Sequence, residues 1–327
     1  MLARWARRLI AGTAIAGLTL ASVAAQAEEA YPTKPIRIVV PFGVGGVADI
    51  TVRLVGERLG ERLGQRFVVE NVPGAGGTAA AQRVLAAPAD GYTLALFSNG
   101  TAVSVPLFKS LGFDPIGEFA PISTMGLFDF AVVAKGDGGT PSFEDFVRRA
   151  KAEPGAINIG TINVGSTQHL TGLLLEREAK LKIVMVPYRN TSEAMLSLLR
   201  GDVHVVIDSY AALRPGLDDA RLRPLATTGP ARSAFLPNVP TLAERGLAGF
   251  DVTSWNALFA RAGTPKIAID RLSGAMRETL GETALRQRLL EAGIEAKFST
   301  PAELGERLKR DIDRWAAVID AAGVPKQ

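Results

Sequence analysis

The sequence predicts an α/β protein built on parallel strands. Three observations carry this. A β-branched run, Ile36 to Val40, enters a glycine loop and then a segment of helical periodicity. The same order recurs at Phe67 to Val69, and strand-then-helix alternation continues through the middle of the chain. Repetition of this kind marks βα units packed as a layered sheet.

The elements follow in order. After the first strand come Pro41-Phe42 and the loop Gly43-Val44-Gly45-Gly46. A helix is predicted from about Ala48, where Val55, Leu59 and Leu63 repeat every four residues and define one apolar face. The strand Phe67-Val68-Val69 enters a second glycine loop, Asn71 to Gly77, ahead of an alanine-rich helix over Thr78 to Ala87. An Asp90-Gly91 turn precedes the strand Tyr92 to Phe97. Further strands are predicted at Ala131–Ala134, Ile157–Gly160, Ile183–Val186 and Val203–Ile207, with helices from Ser142, Thr167 and Thr191. Val252 to Ala260 reads as one more strand. The C-terminal third is helical, with Thr264-Pro265 and Ser299-Thr300-Pro301 as helix starts.

Composition excludes several chemistries. The 327 residues contain no Cys and two His, His169 and His204. Thiolate catalysis, iron–sulfur clusters and disulfides are therefore ruled out, and no metal site is expected. The formal charge of +4 depends on the first 27 residues, which hold Arg4, Arg7 and Arg8 and nothing acidic. Without them 34 basic residues face 33 acidic ones, a net charge of +1. A nucleic-acid partner is not expected of so balanced a chain.

Those 27 residues read as a secretory leader. The arginines form the positive end, Leu9 to Ala21 is apolar, and Ala25-Gln26-Ala27 is a small-x-small cleavage site. The apolar run is short for a bilayer span. The expectation is an exported protein beginning at Glu28 after cleavage behind Ala27, in the periplasm where an outer membrane exists, with no stable membrane insertion.

The two glycine loops carry the functional argument. Glycine allows positive φ and close approach to main-chain N–H groups, and the helix behind each loop adds unpaired donors. Two such loops on neighbouring strands face one crevice at the carboxyl edge of the sheet, an anion cleft without Arg or Lys. Plain tight turns are the alternative. A nucleoside triphosphate is excluded because neither loop ends in Gly-Lys-Ser/Thr. A dinucleotide is the rival ligand: Gly43-x-Gly45-x-x-Ala48 fits the G-x-G-x-x-A fingerprint and Glu70 ends the next strand, which would make this a secreted oxidoreductase. Against it stand the Pro41-Phe42 entry and the export signal. The remaining reading is the carboxylate of a small organic acid.

Ordered motifs extend along the chain: Tyr31-Pro32-x-Lys34-Pro35-Ile36-Arg37-Ile38-Val39-Val40-Pro41-Phe42, Val69-Glu70-Asn71-x-Pro73-Gly74-Ala75-Gly76-Gly77, Asp90-Gly91-Tyr92-Thr93-Leu94, Gly165-Ser166-x-x-His169-Leu170, Pro187-Tyr188-Arg189, Leu236-Pro237-x-Val239-Pro240-Thr241 and Ala262-Gly263-Thr264-Pro265. With the leader, this set resembles the Bug family, the solute-binding proteins of tripartite tricarboxylate transporters. The resemblance implies a two-lobed periplasmic-binding-protein fold of type II, each lobe a mainly parallel sheet flanked by helices. Residues 28–127 and 254–327 would form lobe one, and 128–253 lobe two. It implies a monomer that needs no cofactor, is not an enzyme, binds a small organic carboxylate and serves membrane transporter components. By the same resemblance Phe42, Gly43, Gly46, Asp49, Gly74, Ala75 and Gly76 would grip the carboxylate from lobe one. Ser166, His169, Tyr188, Arg189 and Asp208 would meet the ligand from lobe two. The chain departs from the family pattern after Pro187-Tyr188-Arg189, where Asn190 replaces the usual glycine.

Each of these residues also has a plainer reading. Asp49 and Ser166 suit helix N-caps, and His169 suits a satisfied structural role. Arg189 suits a solvated loop, although its forked donors also fit a second carboxylate. Asp208 suits a cap for a helix near Tyr210. Ser166, His169 and Asp208 hold the residue types of a hydrolytic triad, but the sequence has no G-x-S-x-G elbow.

Overall fold

The computed structural model describes residues 31–327; the predicted leader and its cleavage site lie outside them. Strand β1 (Ile36–Val40) pairs in parallel with β2 (Phe67–Asn71) on one side and β3 (Thr93–Ser98) on the other. Helices α1 (Val47–Leu63) and α2 (Thr78–Leu85) make the crossovers, and α3 (Asn99–Leu107) follows β3. A second parallel set consists of β6 (Val184–Tyr188), β5 (Asn158–Ile162) and β7 (Val205–Ser209), with β5 in the centre. Its helices are α4 (Phe143–Ala152), α5 (Thr167–Glu178), α6 (Thr191–Arg200) and α7 (Tyr210–Asp218).

One long strand joins the two sets. β4 runs over Phe119–Lys135. Up to Asp129 it pairs antiparallel with β9 (Thr253–Arg261), which in turn lies against β3. From Phe130 it pairs with β7 and with β8 (Leu222–Thr227). β8 and β9 therefore run end to end along β4, separated by an excursion over residues 228–252. The sheets are mixed: every antiparallel pairing involves β4 or β9. Sequence reading located only the Ala131–Ala134 end of β4 and missed β8, because Pro121, Gly126 and Pro224 interrupt the β-branched pattern.

The chain returns through α8 (Lys266–Gly281), α9 (Thr283–Glu291), the short β10 (Glu295–Ala296) and α10 (Pro301–Ala321). Val55 and Leu59 of α1 are fully buried against Leu272 and Met276 of α8 and the strands beneath. Each such side chain contributes about 1.5–3 kcal/mol of burial. α10 starts with a capping box between Thr300 and Glu303 and Pro301 at its first position. Its Leu308, Trp315 and Val318 join a core that contains both Val103 of α3 and Leu174 of α5. α10 thus contacts both strand sets, and that packing fixes the walls of the crevice between them. Among the described residues no helix is long and apolar enough to cross a membrane, and no group of three His, Cys, Asp or Glu could hold a metal ion.

Candidate functional site

β1 and β2 end level with each other, Val40 opposite Asn71, so the two glycine loops leave the same edge of the sheet. The second loop is the tighter. Gly76 and Gly77 sit at φ 63° and 75°, where a side chain is strained, whereas Gly74 is extended at φ 176°. Gly77 N–H donates to Gly74 O at 3.1 Å. The amides of Ala75 and Gly76 find no acceptor in the chain among the described residues. They are the first donors of a single helical turn, which leaves its leading N–H groups free.

Ala75 and Gly76 line a cavity of about 450 Å³. Phe42 and Gly74 to Gly77 form one side, α3 from Gly100 to Leu107 the floor, and Asn163 to Thr167 the opposite side. The cavity therefore lies at the carboxyl ends of strands from both sets, where open α/β sheets bind ligands. Among the described residues no charged side chain lines it.

The first loop is held by its own side chains. Asp49 is 2% exposed, and its Oδ2 accepts Gly45 N–H at 2.9 Å. Arg53 Nε donates to both of its oxygens at 3.0 Å, and Asn71 Nδ2 donates to Oδ1 at 2.9 Å. Burial raises the carboxyl pKa, but the bonds from Arg53, Gly45 and Asn71 outweigh it and leave the group at about 2. Asn71 Nδ2 also donates to Phe42 O at 3.0 Å, so one network spans both loops. The N-cap of α1 is Gly46, not Asp49. Asp49 lies in the first turn and reaches back to the loop, because helix formation begins three residues earlier than an Asp49 cap requires. Gly43, Gly46 and Asp49 shape the loop without lining the cavity.

On the far side Ser166 is the N-cap of α5. Its Oγ accepts His169 N–H at 3.1 Å and donates to Ile162 O. His169 is buried, its Nδ1 accepts Gly165 N–H at 3.4 Å, and burial lowers its pKa. Asp208 is 2% exposed and accepts from Gln168, Thr191 and Ser209 N–H. Burial raises its pKa against those three bonds. Its partners show that it ties β7 to the starts of α5 and α6 and is no simple cap of α7. Tyr188 hydroxyl bonds Ser197 on α6. Arg189 is exposed and forms no ion pair or side-chain hydrogen bond among the described residues. The structure thus gathers Phe42, Gly74, Ala75, Gly76 and Ser166 at one cavity; His169, Tyr188, Arg189 and Asp208 are off its wall.

Two rival chemistries lose their parts. The imidazole of His169 bonds neither Ser166 Oγ nor Asp208, so no hydrolytic triad is assembled. Glu70, the acidic partner a dinucleotide would need, faces Arg37 at 3.3 Å and Arg83 at 3.2 Å.

Sequence reading missed α3, which supplies the floor. Its Asn-Gly start and Pro106 suggest a loop, yet Ser98 caps it and Thr101 completes a capping box. The signal was Ser98 with Thr101 three residues on. Asn99 links three elements: Trp315 Nε1 donates to its Oδ1 at 2.9 Å, and its Nδ2 donates to Thr167 Oγ1 at 3.1 Å. A second recess, of about 320 Å³, lies at the middle of β4. There Asp129 accepts from Ser233 at 3.1 Å, and burial pushes its carboxyl up to about 6.

The chain is similar to known proteins. The chain is 31% identical over 318 residues to Protein BugT of Bordetella pertussis, covering 97% of this chain and 98% of that one. The solved structure of Rpa4515 from R. palustris with adipate superposes with a TM-score of 0.79 at 32% identity, over 90% of this chain and 99% of that one. MatC of Rhodopseudomonas palustris with bound malate superposes with a TM-score of 0.74 at 30% identity, over 88% and 100%. The family described as "Tripartite tricarboxylate transporter family receptor" matches residues 51–324. With the doubled strand sets and the crevice between them, this match makes the chain a member of the tripartite tricarboxylate transporter receptor family, to which the Bug proteins belong.

Proposed function

We propose that the protein is a periplasmic solute-binding receptor that captures a small organic carboxylate and hands it to membrane transporter components. The observation that carries this is the pair of free amides, those of Ala75 and Gly76, at a cavity that no charged side chain lines among the described residues. Main-chain donors fixed before binding pay little reorganisation on meeting the anion, and exclusion of water on closure would strengthen each bond. The ligands named for Rpa4515 and MatC, adipate and malate, support the carboxylate class.

In this reading residues 28–127 and 254–327 form one lobe and 128–253 the other. The exchange of β4 partners between Asp129 and Phe130 supports a hinge there, with the return near Thr253. Closure of the lobes buries the anion, and the closed form is what the transporter recognises. The ligand-contacting set is Phe42, Gly74, Ala75, Gly76 and Ser166, with Gly43, Gly46 and Asp49 holding the first loop. The receptor acts as a monomer after removal of its leader and catalyses no reaction. A thermal-shift screen of organic acids on the mature chain tests the reading. A ligand at 100 times its Kd adds about 2.7 kcal/mol of stability. A nicotinamide dinucleotide that stabilises the protein while every acid fails would replace the receptor by an oxidoreductase.

A further inference from the structure

We infer that the segment after α10 is part of the carboxylate site: Gln327, through its main chain, positions residues 107–111, which back the Ala75–Gly77 turn. The inference rests on the receptor reading above and adds a positioning residue to it. α10 ends in a closing turn. Val324 N–H donates to Ile319 O at 3.1 Å, and the Val324 side chain packs on the core. Pro325 and Lys326 are then exposed. A tail of this kind frays unless something ties it down. Here Gln327 docks on the end of α3. Its N–H donates to Leu107 O at 2.9 Å, and Lys109 N–H donates to its O at 2.9 Å. Leu107 is the last residue of α3, so its carbonyl has no partner within the helix, and the bridge satisfies it.

The end of α3 is also where the parts of the site meet. Phe108 and Leu111 close over Gly76, where an added Cβ would lie 3.2 Å from Phe108 Cε2 and 2.8 Å from Leu111 Cδ1. Thr78 Oγ1, one residue beyond the turn, donates to Leu111 O at 2.7 Å. From the opposite side of the cavity, Gly165 lies so close to Leu107 Cδ2 that a Cβ would collide with it. Gln327 itself lines the cavity, and its Nε2 donates to Val164 O at 3.5 Å, a long bond. The main-chain pair is the firmer hold. A single helical turn has little rigidity of its own, so the aim of the Ala75 and Gly76 amides depends on what packs behind them. The bridge fixes the main chain that carries Phe108, and donors held in place before the anion arrives bind it more tightly. In the two-lobe reading the tail, α3 and the turn belong to one lobe, so the arrangement holds with the cleft open or shut.

Deletion of residues 325–327 removes the bridge and leaves Val324 and the core face of α10 in place. Gln327→Ala keeps both main-chain bonds and loses only the side chain. Calorimetric titration of the mature chain with adipate, malate, citrate and benzoate identifies an acid that the wild type binds. The deletion should weaken that acid about tenfold or more, and Gln327→Ala should stay within about threefold. In ligand-free proton–nitrogen correlation spectra the Ala75 and Gly76 amide resonances should shift in the deletion and stay in place in Gln327→Ala. A bridge that only ties down the tail moves the melting temperature alone. Unshifted Ala75 and Gly76 resonances in the deletion, or an acid affinity there within about threefold of wild type, overturns the inference. Gln327→Ala losing as much affinity as the deletion also overturns it, because the side chain would then be the acting group. Failure of all four acids on the wild type counts against the receptor reading, and the amide resonances still decide the inference.

Discussion

Asp49 Oδ2 accepts the Gly45 amide at 2.9 Å, so a resident carboxylate occupies a donor of the first glycine loop. In the first loop the Gly45 amide is thus satisfied from within, whereas the second loop leaves the Ala75 and Gly76 amides free. Asp49 is also bonded by Arg53 and Asn71, and Asn71 reaches Phe42 O. Asp49→Asn keeps the shape but loses the ion pair and weakens the Gly45 bond. The expected cost is about 1–2 kcal/mol of stability, with weaker acid binding because Phe42 is no longer held. Chemical denaturation and titration calorimetry on the same variant check both. Because the folded pKa is depressed to about 2, the contribution of Asp49 is complete above about pH 4 and fades as pH falls through 2. In the variant that acid-side loss should shrink.

Gly74 and Gly76 separate binding from folding. Gly74 is extended, and a Cβ there would meet only Ala79 Cβ, at an ordinary 3.5 Å. Gly74→Leu should fold with the wild-type melting temperature and lose the ligand-induced shift, because it enlarges a cavity-lining position next to the Ala75 and Gly76 amides. Gly76 has φ +63°, and a Cβ there would lie 2.8 Å from Leu111 Cδ1 and 3.2 Å from Phe108 Cε2. Gly76→Ala should therefore lower stability by about 1 kcal/mol or more even without ligand. Melting curves with and without acid distinguish the two variants; equal apo stabilities would sink the argument.

Asn99 is the polar joint between α3, α5 and α10. It is 2% exposed and bonds Trp315 at 2.9 Å and Thr167 at 3.1 Å. Asn99→Leu orphans the Trp315 N–H in the core, an expected loss of about 1–3 kcal/mol. Trp315→Phe in the Asn99→Leu background removes the orphan and should recover part of that loss. A double-mutant cycle by urea denaturation reads the coupling.

The α/β layering and the glycine loops were legible because β-branched runs and Gly clusters announce strands and turns locally. Val55, Leu59 and Leu63 showed the buried face of α1, and all three are buried. What stayed hidden depends on tertiary partners. The Phe119–Asp129 half of β4 contains Pro121 and Gly126, and it is a strand because β9 pairs with it. α3 was hidden behind Asn99-Gly100 and Pro106 and is held by burial and its Ser98 cap. Within the site, the motifs pointed to the Gly74–Gly76 turn, while nothing local reported the destinations of other side chains. Tyr188 turns to Ser197 and Asp208 to Gln168 and Thr191. Those bonds form between elements separated in sequence, and residue type alone does not choose between a ligand and a neighbouring helix.

Asp129 makes the pH dependence of the fold testable at the junction of the two strand sets. It is the last β4 residue paired with β9, Asp129 opposite Thr253. Burial, partly offset by the Ser233 bond and reinforced by nearby Glu295, raises its pKa from 3.8 to about 6. The folded state therefore holds a proton that the unfolded chain releases near pH 4. Stability from this group is complete below about pH 4 and is lost as pH rises through 6, the reverse of the Asp49 case. The shift of about two units corresponds to about 3 kcal/mol. Asp129→Asn keeps a neutral group and the Ser233 contact at every pH. The variant should match wild type at pH 4.5 and exceed it at pH 7.5 by an amount approaching that figure. Urea denaturation at the two pH values measures the difference, and a variant no more stable than wild type at pH 7.5 would show that Asp129 is ionised in the fold at little cost.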